Sequence, residues 1–229
     1  MKQLEYRDLG TMEYGACWKL QRELFDALLA RKRASDPMDH ADIGTLLLVE
    51  HPAVYTLGKS GKSENLLVPQ AMLEELGASF FHIDRGGDIT FHGPGQLVGY
   101  PILDLEPLGI GLRDYIDALE EAVIRTVAHY GITAGRIAGA SGVWLDEKGR
   151  TPRKICAIGV RASRYVTMHG FGLNVTTDLE WFRRINPCGF MDRGVTSIAR
   201  EIGEEPSMEE VKRLVTNHLS EILNVKIYK

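Results

Sequence analysis

A guanidinium and an imidazole, Arg85 and His92, bracket a short segment, Gly86-Gly87-Asp88-Ile89-Thr90-Phe91, which runs on into Gly93-Pro94-Gly95-Gln96. The alternation predicts a strand with two unlike faces: Ile89 and Phe91 toward a core, Asp88, Thr90 and His92 toward a polar side. Glycines without side-chain bulk flank it, so the backbone can turn sharply and lie against a ligand. One fixed charge and one titratable group then border that polar face.

A second set of residues suits nucleophilic chemistry. Arg153-Lys154-Ile155-Cys156-Ala157-Ile158-Gly159-Val160 reads as an apolar strand entered by a lysine, and Ile185-Asn186-Pro187-Cys188-Gly189-Phe190 as a turn with a cysteine at its tip. A cysteine forms a thioester only as thiolate. At its ordinary pKa of about 8.5, roughly 3% is ionised at pH 7; a nearby ammonium that lowers the pKa to about 7 raises this on the order of fifteenfold. Lys154, its stem packed on an apolar strand, is the candidate ammonium and a later proton donor or acceptor. The residues alone leave the nucleophile open. Cys156 stands two positions from Lys154 on the same strand face, inside a run where a thiol is usually buried and inert; Cys188 sits in a turn. Gly159 and the Gly170-Phe171-Gly172 run can offer unobstructed backbone N–H groups to an oxyanion. His169, just before that run, reads equally as a proton-transfer group or as a structural histidine.

With His51-Pro52-Ala53-Val54-Tyr55-Thr56-Leu57-Gly58 added, four segments in this order resemble the lipoyl(octanoyl) transferases over nearly the whole chain. These are octanoyl-[acyl-carrier-protein]:protein N-octanoyltransferases. The resemblance implies a biotin/lipoate protein ligase-like catalytic fold in one domain spanning residues 1–229. It places the catalytic cysteine on Cys188 and the lysine that lowers its pKa on Lys154. Substrate contacts fall on Arg85, Gly86, Gly87, Asp88, Ile89, Thr90, Phe91 and His92, on Ala157, Ile158 and Gly159, and on Gly170, Phe171 and Gly172. Asp88 departs from some relatives and receives no specific role. The implied reaction moves octanoyl from acyl carrier protein, through an enzyme thioester, to a lysine of lipoyl domains of 2-oxoacid dehydrogenase complexes and of glycine cleavage H protein. It is the first step of protein lipoylation from endogenous octanoate. Arg150, Arg153, Arg161, Arg164, Arg183 and Arg184 surround the two motifs and read equally as a patch that steers an acidic carrier or as solvated surface charge.

Composition excludes other classes. A chain of 229 residues with 44% hydrophobic and 25% charged residues has the make-up of a globular protein, and its net charge of −4 exerts no pull on nucleic acid or anionic lipid. The first residues lack an apolar leader core, and no run is long enough to span a bilayer. Three irregularly spaced cysteines argue against a disulfide framework and fit a reducing cytoplasm. No His-x-x-x-His or Cys-x-x-Cys pair suggests a metal. Gly58-Lys59-Ser60-Gly61-Lys62-Ser63 imitates a phosphate-binding loop, but Thr56 stands where its first glycine belongs, and no cofactor is expected.

The elements that position these groups follow from period and punctuation. Strands are expected at 3–8, 45–50, 79–84, 88–92, 97–103, 143–145, 155–161, 170–175 and 225–228. The strands at 79–84, 88–92 and 97–103 read as three in succession. Thr11 reads as the N-cap of a helix with Cys17, Leu20, Leu24 and Leu28 on one stripe, before a polar loop over 31–42. Further helices are expected at 69–76, at 112–130 before Gly131, and from the Ser207 capping sequence to Leu223. Consecutive strands with helices inserted between them predict an α+β fold with a mixed, largely antiparallel sheet flanked by helices.

Overall fold

The computed structural model describes residues 1–34, 41–186 and 194–229. At its centre lie β2 (Asp42–Glu50) and β6 (Gln96–Leu103), both buried almost end to end. Each is a near-continuous apolar run because both faces are covered. Leu46 and Leu48 face a layer formed by α3 (Leu112–Ala128) and α5 (Met208–Leu223), where they meet Leu119, Val123, Val215 and Leu219. Leu47 and Val49, on the alternate positions, face α1 (Tyr14–Arg33) through Cys17, Phe25 and Leu28.

The main sheet runs β12 (Val225–Tyr228), β1 (Lys2–Thr11), β2, β6, β10 (Val166–Asn174), β9 (Arg153–Ser163), β8 (Ala140–Leu145), β7 (Gly135–Ile137), with β11 (Gly194–Val195) beside β9. The β12–β1, β1–β2 and β11–β9 pairs are parallel and the rest antiparallel. This is the expected mixed, largely antiparallel α+β arrangement.

Several local expectations hold for the stated reason. The Ser207 side chain accepts a hydrogen bond from the Glu210 amide at the start of α5, and Gly131 follows α3 at φ +74°. Others do not. Thr11 ends β1 instead of capping α1, which starts after Glu13 without a side-chain cap. The buried stripe of α1 includes Gln21, while Leu20 and Leu24 are only partly buried; the Gln21 side-chain Oε1 accepts from the His169 amide of β10. The helix also extends to Arg33, into the expected loop.

The largest departure concerns the three successive strands. β4 (Ser79–His82) and β5 (Ile89–His92) never pair with each other; both flank β3 (Val54–Leu57) in a separate sheet, while β6 joins the main one. β3 and β4 are parallel, and parallel neighbours need a crossover, supplied here by α2 (Gln70–Glu75). The short β7 and β11 and the helix α4 (Ile198–Ile202) also lie outside the expected set.

Candidate active site

Between the small sheet and β9–β10 lies a cavity of about 560 Å³, within the usual range for small-molecule sites. The Arg85–Asp88 loop with Ile89, Thr90 and His92 forms one wall. Ala157, Ile158 and Gly159, opposite Gly170, Phe171 and Gly172, form another. Lys154, Trp144, Gly194 and Val195 close one end. The segments expected to meet substrate therefore come together, with two exceptions. Phe91 turns into the core, stacked on Trp181 at 5.2 Å and packed on Tyr55, as its place on the apolar face of β5 requires. Cys188 lies outside the described residues.

The Arg85 loop is held from within. Arg85 donates to the carbonyls of Gly86 at 2.8 Å and Asp88 at 2.7 Å. The Gly58, Lys59 and Ser60 amides donate to the carbonyls of Asp88, Arg85 and Gly87. The phosphate-loop imitation thus serves as a clamp: its amides are engaged by this loop, and a Cβ on Gly58 would stand 2.4 Å from the Gly87 carbonyl. The Asp88 carboxylate accepts from the Ile89 amide and the Asn65 side chain.

The backbone of β9 presents its amides and carbonyls to two edges in turn. Val160 turns its carbonyl to the Gly86 amide at 3.0 Å, on the edge away from β10. By strand alternation Ile158 turns its N–H to that same edge, whereas Ala157 and Gly159 turn theirs to their partners Gly172 and Gly170 on β10. By this alternation Gly159, expected to offer its amide to an oxyanion, turns it to β10, and the β9 amide on the edge that faces the Arg85 loop is that of Ile158.

Lys154 reaches the cavity beside Trp144, its ammonium 4.5 Å from the ring centroid. Cys156 does not share its face. Val143 pairs with Cys156 and Trp144 with Lys154, so Ile155 is an extra residue in β9. This bulge resets the alternation, and both Ile155 and Cys156 enter the core cluster. Burial pushes the Cys156 thiol well up and the Cys17 thiol up to about 12, so neither supplies a thiolate near neutrality.

Three neutral histidines lie under the cavity. His51 donates from Nδ1 to the Met12 carbonyl and accepts the Tyr100 hydroxyl at Nε2; burial lowers its pKa to about 4. His92 is lowered to about 3, first by burial and then by His51. His169, 1% exposed at φ +63°, donates from Nε2 to Asp84 at 2.9 Å and is lowered by burial. Asp84 also pairs with Arg161, and these partners, His169 first, hold its carboxyl down at about 2. His169 thus carries a structural load, although its ring borders the cavity. Among the described residues, no group of three or more His, Cys, Asp or Glu is placed to hold a metal ion, and no helix is long and apolar enough to cross a membrane.

Comparison with known proteins gives the class of this chain. Residues 13–220 match the family described as lipoyl protein ligase A/B catalytic domain. The fold is shared with a solved *Thermoplasma acidophilum* structure described as a putative lipoate protein ligase (TM-score 0.71, 15% identity, covering 100% of this chain and 88% of that one). It is also shared with a lipoate-protein ligase A bound with ATP (TM-score 0.68, 15% identity, 100% and 87%). The octanoyltransferase of *Bacteroides fragilis* is 52% identical over 212 residues, 93% of this chain and 94% of that one. That of *Flavobacterium johnsoniae* is 49% identical over 229 residues, 99% of each. The chain belongs to the lipoyl protein ligase A/B catalytic domain family and, within it, to the octanoyltransferases.

Proposed function

We propose that this enzyme transfers octanoyl from acyl carrier protein to a lysine of lipoyl domains, including those of 2-oxoacid dehydrogenase complexes and of glycine cleavage H protein, through a thioester on Cys188. The reaction belongs to the cytoplasm and opens protein lipoylation from endogenous octanoate. The observation that carries the reading is the position of Lys154: its side chain lines the same cavity as Ile158 and Gly159, while the other two cysteines are buried. The described chain leaves this region at Asn186, whose amide donates to the Asn65 carbonyl, and returns at Gly194, paired with Arg153 next to Lys154.

In the first half-reaction the Cys188 thiolate attacks the thioester carbonyl. The oxyanion is met by the Ile158 N–H, the carbon–sulfur bond to the carrier breaks, and the departing thiolate takes a proton from Lys154. In the second half-reaction the acceptor amine attacks the acyl-enzyme, neutral Lys154 takes the amine proton, and the Cys188 thiolate leaves. The donor is already activated, so no nucleotide enters. A solved relative is described as a bipartite lipoate protein ligase with its E2 lipoyl domain from *Thermoplasma acidophilum*, which supports a lipoyl domain as acceptor class.

The test is the intact mass of the enzyme after mixing with octanoyl-carrier protein without ATP. An adduct of one octanoyl group, labile to hydroxylamine and passed to a lipoyl domain, is expected. No adduct, together with efficient ATP-dependent use of free octanoate, would move the chain to the ligases.

A further inference from the structure

Beneath the cavity a line of buried hydrogen bonds runs from β5 to β11. His92 Nδ1 is 2.6 Å from Gln96 Oε1. Gln96 Nε2 donates to Asn174 Oδ1 at 2.8 Å and to the Phe91 carbonyl at 3.2 Å. Asn174 Nδ2 donates to the Thr196 carbonyl at 2.9 Å. None of His92, Gln96, Asn174 and Thr196 is more than 7% exposed. The two half-reactions above give no role to Gln96 or Asn174.

The direction of this line is set at two points. A backbone carbonyl only accepts, so the Thr196 carbonyl must face the Asn174 amide nitrogen, which turns Asn174 Oδ1 toward Gln96. The Phe91 carbonyl fixes Gln96 Nε2 in the same way, leaving Oε1 for His92. An acceptor facing a ring nitrogen requires a proton on that nitrogen. His92 therefore carries its proton on Nδ1, and Nε2 is left with a lone pair. The ring borders the cavity. It is stacked parallel to Tyr14 at 6.2 Å and meets His51 edge-on at 6.1 Å. Arg85, His51 and His169 all oppose a charge on it. At the far end of the line, the Thr196 amide donates to the Lys154 carbonyl at 2.9 Å, and the Thr196 hydroxyl donates to Glu201. Gly172, on the cavity wall, leaves the room this line needs: a Cβ there would stand 2.9 Å from Gln96 Oε1 and 3.3 Å from His92 Nδ1.

We infer that Gln96 and Asn174 are positioning residues for acyl transfer: they hold His92 as a fixed hydrogen-bond acceptor, through Nε2, for an N–H of the bound substrate, and hold β11 in register beside Lys154. The inference rests on the transferase reading. A neutral ring that resists protonation orients an N–H group and leaves the proton transfer to Lys154. The N–H belongs either to the donor's thioester arm or to the acceptor amine. The two sources act in different half-reactions.

The experiment uses the full-length enzyme. Nitrogen NMR of the wild type, between about pH 6 and 8, should show His92 protonated at Nδ1 and bare at Nε2. The opposite tautomer, or an imidazolium, overturns the inference without any variant. Gln96→Glu supplies the second arm. A protonated Glu keeps one accepting and one donating oxygen. Once ionised it cannot donate to Phe91 or Asn174, and it draws a second proton onto His92, turning Nε2 into a donor. Relative to wild type, the variant should lose roughly tenfold in rate as pH rises, the size of one lost hydrogen bond. Acylation by octanoyl-carrier protein and transfer from preformed acyl-enzyme are timed separately. A drop in the first assigns the donor's N–H, and a drop in the second the amine. A flat ratio in both half-reactions, or a His92 ring unchanged by ionisation of Glu, overturns the inference. Failure of the wild type to form any acyl adduct would instead sink the transferase reading, and the tautomer measurement would stand apart from it.

Discussion

Lys154 and Trp144 are paired across β9 and β8, with the ammonium 4.5 Å from the indole centroid and the indole N–H donating to the Ala140 carbonyl. The ring face attracts the ammonium and so helps to hold it at the cavity. Lys154→Met should therefore slow enzyme acylation at pH 7 on the order of fifteenfold, with the gap narrowing toward pH 9 as the thiol ionises unaided. Trp144→Leu keeps the ammonium but removes the ring, and should cost only about two- to tenfold. Rapid-quench mass spectrometry across pH measures both; equal losses at every pH would rule out the thiolate-assisting role.

Cys188 and Cys156 should separate cleanly. Cys188→Ala should abolish both adduct and turnover. Cys156→Ala should leave the adduct intact and cost on the order of 1 kcal/mol of stability, as for a small buried hydrophobe. An adduct that survives in Cys188→Ala and vanishes in folded Cys156→Ala would reverse the assignment.

Stability should fall on the acid side well before carboxylates protonate. His51, His92 and His169 all have pKa values lowered in the folded state, so below about pH 6.5 the unfolded chain binds protons that the native protein does not. Each contributes up to about 1.4 kcal/mol of lost stability per pH unit, down to its folded pKa. Asp84, depressed to about 2, adds a further loss between about pH 4 and 2. Urea midpoints from pH 7 to 4 should show the first effect, and His51→Gln should flatten the slope by one proton. A midpoint independent of pH over this range would contradict the buried neutral state.

The arginines that surround the two motifs divide into groups. Arg153 makes a two-pronged pair with Glu201, and Arg161 pairs with Asp84, so both belong to the structure's internal ties. Arg150, Arg164 and Arg183 are exposed, Arg183 beside Glu180, while Arg184 is half-buried over the Trp181 ring. Reversing Arg150 and Arg183 to Glu together should slow capture of the octanoyl donor and flatten its salt dependence without lowering the melting temperature. Arg153→Glu should instead destabilise the fold by about 1–3 kcal/mol. Stopped-flow capture at two ionic strengths decides; unchanged rates would eliminate the exposed pair.

Gly159 allows the Arg85 loop to lie on β9. A Cβ there would stand 2.6 Å from Arg85 Nη1 and 3.0 Å from the Gly86 carbonyl. Gly159→Ala should displace the loop and raise KM about tenfold with a smaller change in kcat. A reversed split would show that the loop does not bind substrate.

Local order was legible in the sequence because it depends on near neighbours. The β-rich run at 45–50 marks a strand, Ser207 marks a helix start, and Gly131 marks a helix end; each is set by backbone geometry within a few residues. The family resemblance likewise followed from motifs in order, and it brought the Arg85, Ala157 and Gly170 segments to one cavity. Tertiary structure decided what depends on partners far along the chain. β3 came between β4 and β5 because parallel pairing passes through α2, and pairing partners leave no periodic signature. One bulge at Ile155 took Cys156 off the face of Lys154, since a single extra residue reverses every side chain beyond it. Gln21, at a helical position that reads as polar surface, is buried because the His169 amide needs an acceptor. The polarity of His92 was decided last, by backbone carbonyls at Phe91 and Thr196. Only the folded chain brings those two carbonyls to opposite ends of one hydrogen-bonded line.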